Sequence, residues 1–576
     1  MRRKIVIIGG VATGPKAAAR ARRLDPQAEI TLVEQGSYLS YAGCGLPYYI
    51  GGLVKDRREL MSTAAGVVRD AAFFKGVKNI NVLTRTRALA IDRRAKEVQV
   101  MDLETGETRS LPYDKLVLAT GSTPVRPPIP GLDLGRVYTL GSMEEAVAIR
   151  EALSSGQVDK AVIIGGGLIG LEMAEALHMA AQSHGRDLRV TLVEALPQLV
   201  SAQLDADMAA LVVQHLRAKG VELHLGCKVL RLEGDEEGRV RAVVTEQGEL
   251  PADLVIVAVG VRPNTALARD AGLSLGVTGG IVVNQYLETD DPDILAGGDC
   301  VENLHILTGR PVYLPLGSTA NRHGRVLGAN VTGGRERFPG VLGTAIFKVF
   351  DYHVGRTGLS EKEARDNGYE VETIICPNPD RAHYYPGSKP IIIKMVANKA
   401  NRRLLGVQIV GPGEVAKRVD VAVAAITMGA TVDQVANLDL AYAPPYSTAL
   451  DPLTHAANAL RNKLDGLARS VSPLEVKRRL ERGEDFILLD VRTPAEVEEV
   501  RLPYPQVRHL PLGKLRQEAG SLPQDKDIIA FCKISLRGYE AQVILNGLGF
   551  QRVCFMEGGL AAWPFEVVKG SIESRK

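Results

Sequence analysis

Apolar residues in this chain fall in short unbroken runs, each closed by glycine or by an acid, and not in long stretches. Residues 4–8 form the first run and read as a strand buried on both faces. Gly9-Gly10-Val11-Ala12-Thr13-Gly14 follows, then a helix from about Pro15 to Leu24, then a strand over 30–33 that ends on Glu34. The same succession returns at 161–164, with a complete G-x-G-x-x-G (Gly165, Gly167, Gly170), a helix over 168–181, and a strand over 189–193 that ends on Glu194. Three further strand-then-turn runs lead into Ala119-Thr120-Gly121, into Gly260, and into Gly298-Asp299. Residues 390–396 and 404–410 read as strands and 413–428 as a long helix. A helix over 452–468 precedes a fresh start at Ser472-Pro473. Strands over 485–491 and 527–531 come after it, the second running straight into Cys532 and another helix.

At 576 residues the chain is too long for one core, and three or four domains are expected. Hydrophobic residues at 45% and charged residues at 24% are ordinary for a globular protein, and a net charge of +3 argues against a broad nucleic-acid surface. No nucleic-acid partner and no metal site are expected. The basic start, Met1-Arg2-Arg3-Lys4, precedes an apolar run too short for a signal peptide. No segment approaches the ~18 apolar residues that span a bilayer. Six cysteines in so long a chain make no disulfide framework and fit a reducing, cytoplasmic setting, where a functional thiol is catalytic or redox-active.

The chemistry starts from the glycine turns. Glycine lets backbone approach a pyrophosphate at a helix N-terminus, and an acid at the end of the next strand holds ribose hydroxyls. Two such units imply two dinucleotides. Glu194 would repel a 2′-phosphate, which favours NADH over NADPH, although Arg186 and Arg189 stand close by. A lone thiol, Cys44, follows the first unit within Ser-Tyr-Ala-Gly-Cys-Gly-Leu-Pro-Tyr (40–48); the next cysteine is Cys227. Arg20, Arg22 and Arg23 make a basic run on the first helix, suited to phosphate by their planar donor forks.

Together these motifs resemble the two-dinucleotide flavoprotein disulfide reductases over roughly residues 1–455. The resemblance implies FAD on the first unit (Gly9, Gly14, Glu34, Ala119, Thr120, Gly121, Asp299) and the nicotinamide on the second (Gly165, Gly167, Gly170, Glu194, Gly260). Tyr49 stands where the paired-cysteine branch has its second cysteine, so Cys44 resembles the thiol of the single-cysteine branch. That branch holds coenzyme A disulfide and persulfide reductases, NADH oxidases and NADH peroxidases. The segment around Ser40 and Cys44 is similar to the coenzyme A-reducing members, with Gly43 where many of them have asparagine. The resemblance then implies that Arg20, Arg22, Arg23, Ser40 and Lys75 meet coenzyme A. It also implies a homodimer in which Tyr442 or Tyr446, or else Tyr384 or Tyr385, gives a proton to a leaving thiolate.

Beyond residue 471 the chain resembles a rhodanese domain, through Asp490-Val491-Arg492, the loop from Cys532 to Arg537, and Gly558-Gly559-Leu560-Ala561-Ala562-Trp563. Lys533 and Arg537 add positive charge beside Cys532, which favours thiolate. The expected fold class is α/β: two Rossmann-like dinucleotide-binding domains, an α+β dimerisation domain and a C-terminal α/β rhodanese domain. The expected limits are 1–115 and 256–330 for the FAD domain, 116–255 for the NAD domain, 331–455 for dimerisation, 456–470 as linker and 471–576 for rhodanese. The function this implies is NADH-dependent reduction of coenzyme A persulfide, polysulfide or coenzyme A disulfide, with release of sulfide. Two alternatives stay open: an NADH oxidase or peroxidase cycling Cys44 through sulfenic acid, and a sulfur carrier or redox sensor that the flavoprotein resets.

Overall fold

The computed structural model describes residues 2–183 and 185–570. The chain divides into two compact units, Met1–Ala195 with His224–Val341, and Leu196–Leu223 with Leu342–Lys576.

In the first unit Lys4–Ile8 is the middle strand of a parallel sheet. Its order is Ile294–Ala296, Lys115–Leu118, Lys4–Ile8, Glu29–Val33, Asn81–Leu83. Ile5 and Ile7 pack with Ala17, Ala18 and Ala21 of the helix Thr13–Leu24. Val6 and Ile8 pack on the other face with Ile91, Val98 and Val100, from a three-stranded antiparallel sheet. Both faces are covered, so the strand tolerates no polar alternation and reads as one apolar run. A second parallel sheet has Lys160–Ile164 between Arg189–Glu194 and Leu254–Val257, with Val137–Tyr138 beyond. Two expected limits shift accordingly. Lys115–Leu118 belongs to the first sheet, so the first module runs past residue 115; Leu254–Val257 belongs to the second, so that module runs past 255. The chain crosses between the modules where Ser122–Pro124 pairs antiparallel with Val261–Pro263.

In the second unit an antiparallel sheet runs Ala345–Val349, Tyr352–Gly358, Leu404–Gly411, Pro390–Asn398, Val371–Pro379, the last an edge strand. The excursion 196–223 belongs here, against expectation, because its charges are neutralised here. The buried Lys394 ammonium lies 2.7 Å from Asp207, 2.9 Å from Glu361 and 3.3 Å from Asp205. Gln408 Nε2 also donates to Asp205 at 2.6 Å. A buried lysine needs such partners, since an unpaired charge there costs several kcal/mol. The segment expected as a linker from 456 is instead the body of a packed helix, Pro452–Leu464, which buries Leu453, Ala456, Ala457 and Leu460.

The last part of the second unit is a parallel sheet in the order Ser470–Val471, Val553–Met556, Asp527–Phe531, Phe486–Asp490, Val507–His509. Phe486, Leu488, Ile529 and Phe531 pack on one face with Trp563; Leu489, Ile528 and Ala530 pack on the other with Leu545. Among the described residues no helix is long and apolar enough to cross a membrane.

Candidate functional site

The first glycine turn is a cradle shaped by two close approaches. Gly9 has φ +113°, and a Cβ there would stand 2.0 Å from the Ala119 carbonyl oxygen. A Cβ on Gly14 would stand 1.9 Å from the Gly9 carbonyl oxygen. The outer glycines are therefore compulsory, and Val11 in the middle of the motif leaves both contacts intact. Glu34 accepts from the Gly10 amide at 2.6 Å and the Gly36 amide at 2.7 Å, placing its carboxylate at the turn. Burial holds that carboxyl above its ordinary range. Thr120 Oγ1 donates to the Asn264 carbonyl at 2.6 Å, and the Asn264 amide returns a bond to the Thr120 carbonyl, so 119–121 is pinned across the crossover. Asp299 is raised by burial and accepts from Ser122 Oγ at 3.3 Å. This donor and acceptor set fits FAD: a bare turn at a helix start for the pyrophosphate, one acid for ribose, and a second acid for the ribityl hydroxyls.

One supporting residue carries no sequence signal. Buried His323 accepts the Gly298 amide on Nδ1 at 3.0 Å and fixes the turn that carries Asp299. Burial pushes its imidazole down to about 3, so it accepts as the neutral ring.

The second cradle repeats the first. Gly165 has φ +113°, with a Cβ there 2.4 Å from the Ala258 carbonyl oxygen, and a Cβ on Gly170 would lie 2.0 Å from the Gly165 carbonyl oxygen. Gly167 faces open space. Glu194 accepts from the Gly166 amide at 2.6 Å. Arg186 is paired with Asp159 at 2.6 Å, which engages one of the two arginines that stood near Glu194 in sequence. Gly260, φ +107°, stands directly before the crossover strand Val261–Pro263. The set fits a dinucleotide whose ribose carries free hydroxyls.

Cys44 lies in a single 3₁₀ turn, Gly43–Gly45, ahead of the short helix Leu46–Ile50. Gly45 is tied down, since a Cβ there would meet Leu60 at 2.4 Å; Gly43 faces open space, so packing does not exclude a larger residue there. Cys44 is exposed. Its sulfur faces the start of the helix Gly317–Asn330, with a Cβ on Gly317 at 3.4 Å from Sγ. A helix N-terminus stabilises thiolate. Against it, desolvation pushes the thiol up, and Glu172 and Asp299 add to the rise. Glu172, on the helix Leu168–Ser183, is pushed up to about 7 by burial and by Glu175. It also raises Tyr48, second to burial. Sequence reasoning missed Glu172. Its one local signal is an acid, with Glu175 three residues on, in a helix otherwise rich in apolar residues.

The candidates for coenzyme A divide. Arg20 is half-buried, its side-chain carbons lie under Gly328, and its Nε makes no hydrogen bond. Arg23 and Lys75 are exposed. Ser40 takes φ +48° and donates its amide to the Gly10 carbonyl, which joins the Cys44 segment to the first cradle. Arg22 is engaged elsewhere: its guanidinium donates to the carbonyls of Asp25, Pro26, Lys78 and Asn79. Arg22 is a brace between loops, and the expectation that it meets phosphate is withdrawn.

In the second unit the four candidate tyrosines occupy two touching loops, where the Ala382 amide meets the Pro444 carbonyl at 3.4 Å. All four side chains are exposed, and the phenols of Tyr384 and Tyr442 meet. Lys417 Nζ donates to the Tyr446 carbonyl at 3.0 Å.

Cys532 is buried at the end of Asp527–Phe531. Behind it, Arg492 bonds to Asp490 at 2.6 Å and to the Glu496 and Val500 carbonyls. Arg537 stands close enough to Cys532 to act on it by charge and clasps both oxygens of Glu496, which holds that carboxyl down at about 2. Lys533 points into solvent. The loop is held by the Gly558–Gly559 turn. Gly558 donates to Ser535 Oγ at 2.6 Å, Leu560 donates to the Cys532 carbonyl at 2.9 Å, and a Cβ on Gly559 would strike that carbonyl at 2.2 Å. Ser535 accepts φ +91° within this loop.

Known proteins match each part. The family model "Pyridine nucleotide-disulphide oxidoreductase" covers residues 3–324, its dimerisation domain 344–453, and "Rhodanese-like domain" 472–565. A Pyrococcus horikoshii protein named NAD(P)H coenzyme A polysulfide/persulfide reductase is 37% identical over 461 residues, which is 80% of this chain and 99% of that protein. The structure of a NAD-dependent persulfide reductase from A. fulgidus is 47% identical, with TM-score 0.91 over 97% of this chain and 100% of that one. The crystal structure of reduced Bacillus anthracis CoADR-RHD is 36% identical, with TM-score 0.89 over 98% of both chains.

Proposed function

The chain belongs to the pyridine nucleotide-disulphide oxidoreductase family, and from that premise we propose that it is an NADH-dependent flavoprotein reducing coenzyme A persulfide. Cys44 is its redox thiol and Cys532 its carrier of sulfane sulfur. FAD is held by Gly9, Gly14, Glu34, residues 119–121 and Asp299, and NADH by Gly165, Gly167, Gly170, Glu194 and Gly260. The observation that carries the reading is Cys44 itself: exposed, with no second cysteine on its turn, and facing a helix N-terminus. A thiol so placed takes its redox partner from the substrate.

The residues divide the work as follows. The Cys532 thiolate bonds to the terminal sulfur of a polysulfide, and the shortened polysulfide leaves with the electron pair. Arg537 holds the resulting persulfide anion. Coenzyme A thiolate attacks its outer sulfur, giving coenzyme A persulfide and returning the Cys532 thiolate. The Cys44 thiolate then attacks coenzyme A's own sulfur in the persulfide, the outer sulfur leaves as hydrosulfide with the electron pair, and a Cys44–coenzyme A disulfide remains. The chemistry a bound FAD contributes is passage of two electrons from NADH to that sulfur–sulfur bond. Cys44 and coenzyme A part as thiolates, and a tyrosine protonates the latter. In sum NADH, a proton and coenzyme A persulfide give NAD⁺, coenzyme A and hydrogen sulfide. Coenzyme A disulfide enters at the Cys44 step alone.

The match to the dimerisation domain supports a homodimer, whose tyrosine loops serve the Cys44 site of the second copy. Six free thiols support a cytoplasmic setting. The test is steady-state NADH oxidation with polysulfide plus coenzyme A, with coenzyme A persulfide and with coenzyme A disulfide. Cys44→Ser loses all three, whereas Cys532→Ser loses only the first.

A further inference from the structure

Cys532 is wholly buried, and the residues between it and Arg537 are Lys533, Ile534, Ser535 and Leu536. A sulfur donor reaches the thiol past the outer side chains of this loop. Two of them are large and apolar. Ile534 is 43% exposed, and Leu536, which opens the helix Leu536–Gly547, is 59% exposed. One exposed leucine needs no explanation. Two apolar side chains left in water between a thiol and its cation call for a ligand that covers them. The loop that presents them is fastened from the other side. Leu560 and Ala561 donate their amides to the Cys532 and Lys533 carbonyls at 2.9 Å each, and Gly558 donates to Ser535 Oγ at 2.6 Å.

The guanidinium at this loop is already engaged. Both terminal nitrogens of Arg537 bond to the two oxygens of Glu496. Thr493 holds that carboxylate in place, through its amide at 3.1 Å and its Oγ1 at 3.0 Å. The charge of Arg537 is thus balanced and its fork is filled. Lys533 is exposed, and a solvated ammonium holds an anion weakly. A persulfide needs one charge beside it. An oxyanion such as sulfite needs a free fork of donors, which Arg537 no longer offers.

We propose that Ile534 and Leu536 are the specificity-determining residues of the Cys532 site: they cover the departing sulfur chain of a polysulfide and turn away thiosulfate, whose leaving group is a hydrated oxyanion. The inference rests on Cys532 as carrier of sulfane sulfur. The two loadings differ only in what leaves. With polysulfide, the Cys532 thiolate bonds to the terminal sulfur, the next sulfur–sulfur bond breaks, and the shortened chain leaves with the electron pair. With thiosulfate, the thiolate bonds to the sulfane sulfur and sulfite leaves with the pair. A chain of divalent sulfur is polarisable and weakly hydrated, so apolar side chains receive it readily. Sulfite gives up water to reach the same place and is not repaid in hydrogen bonds.

The test is the rate at which Cys532 in the full-length holoenzyme takes up sulfur, read as persulfide on its peptide by mass spectrometry after mixing with tetrasulfide or with thiosulfate. The parent loads about 100-fold or more faster from tetrasulfide. Ile534→Arg and Leu536→Arg each raise loading from thiosulfate about tenfold or more, since the added guanidinium supplies the missing fork. Ile534→Ser and Leu536→Ser lower loading from tetrasulfide about 3–10-fold and leave thiosulfate slow. Misfolding cannot produce the gain in the arginine variants. A parent that loads equally from both donors overturns the proposal. So do arginine variants with an unchanged preference, or serine variants that keep the parent's rate with tetrasulfide. The parent with tetrasulfide alone separates the proposal from its premise. No persulfide on Cys532 there removes the carrier role itself, whereas loading with a preference that ignores residues 534 and 536 removes only their role.

Discussion

Both terminal nitrogens of Arg537 lie 2.7 Å from the two carboxylate oxygens of Glu496. The clasp aims a fixed cation at Cys532. Arg537→Ala should slow sulfur transfer to cyanide about tenfold or more, because it removes the cation that holds the persulfide anion on Cys532. Glu496→Gln should give a weaker form of the same effect. Glu496 sits at about 2 when folded against 4.5 as its ordinary value, so its pairing contributes stability above pH 4.5 that is lost as pH falls toward 2. Thermal unfolding of parent and Glu496→Gln across pH 2–5 should therefore converge at the acid end.

Glu172 and Cys44 form the second coupled pair. The carboxylate raises the thiol, and the carboxyl itself sits at about 7. Cys44 alkylation in the parent should show an inflection near pH 7 that Glu172→Gln abolishes, with the thiol of the variant reacting at lower pH. An unchanged profile would show that the two do not communicate.

The two cradles should fail separately. Gly9→Ala forces a Cβ into the Ala119 carbonyl and should yield protein without flavin absorbance; Gly165→Ala forces one into the Ala258 carbonyl and should keep the flavin while losing its reduction by NADH. A yellow Gly9→Ala, or a colourless Gly165→Ala, would reverse the assignment of the cofactors.

Glu194 should set nucleotide choice. With Arg186 held by Asp159, the parent should favour NADH over NADPH by tenfold or more in kcat/KM, and Glu194→Ala should narrow that ratio.

Arg20 and Arg22 should behave differently although they stand on one helix. Arg22→Ala removes donors from four loop carbonyls and should lower stability by about 1–3 kcal/mol in denaturant unfolding, with the KM for coenzyme A persulfide unchanged. Arg20→Ala should raise that KM with little change in stability.

These contrasts mark what was legible in the chain. Gly9, Gly14, Gly165, Gly170, Glu34 and Glu194 announce themselves because a dinucleotide turn is a local structure with fixed spacing. Cys44 and Cys532 stand out as thiols at strand and turn boundaries. Glu172, His323 and Glu496 were illegible because each acts on a residue far from it in sequence, and a single acid or histidine carries no period. Arg22 was misread because only the folded chain brings the Lys78 and Asn79 carbonyls to it. The limits at 115 and 255 were misplaced for a related reason: Lys115–Leu118 and Leu254–Val257 look alike as apolar runs, and only strand pairing tells which sheet each one joins.

The most direct test is anaerobic: NADH is mixed with the holoenzyme and coenzyme A persulfide, and NAD⁺, coenzyme A and sulfide are counted. The account predicts one of each per NADH, complete loss in Cys44→Ser, and poor turnover when oxygen or peroxide replaces the persulfide. Fast turnover with oxygen or peroxide and none with persulfide would contradict it, and would make Cys44 a sulfenic acid centre instead.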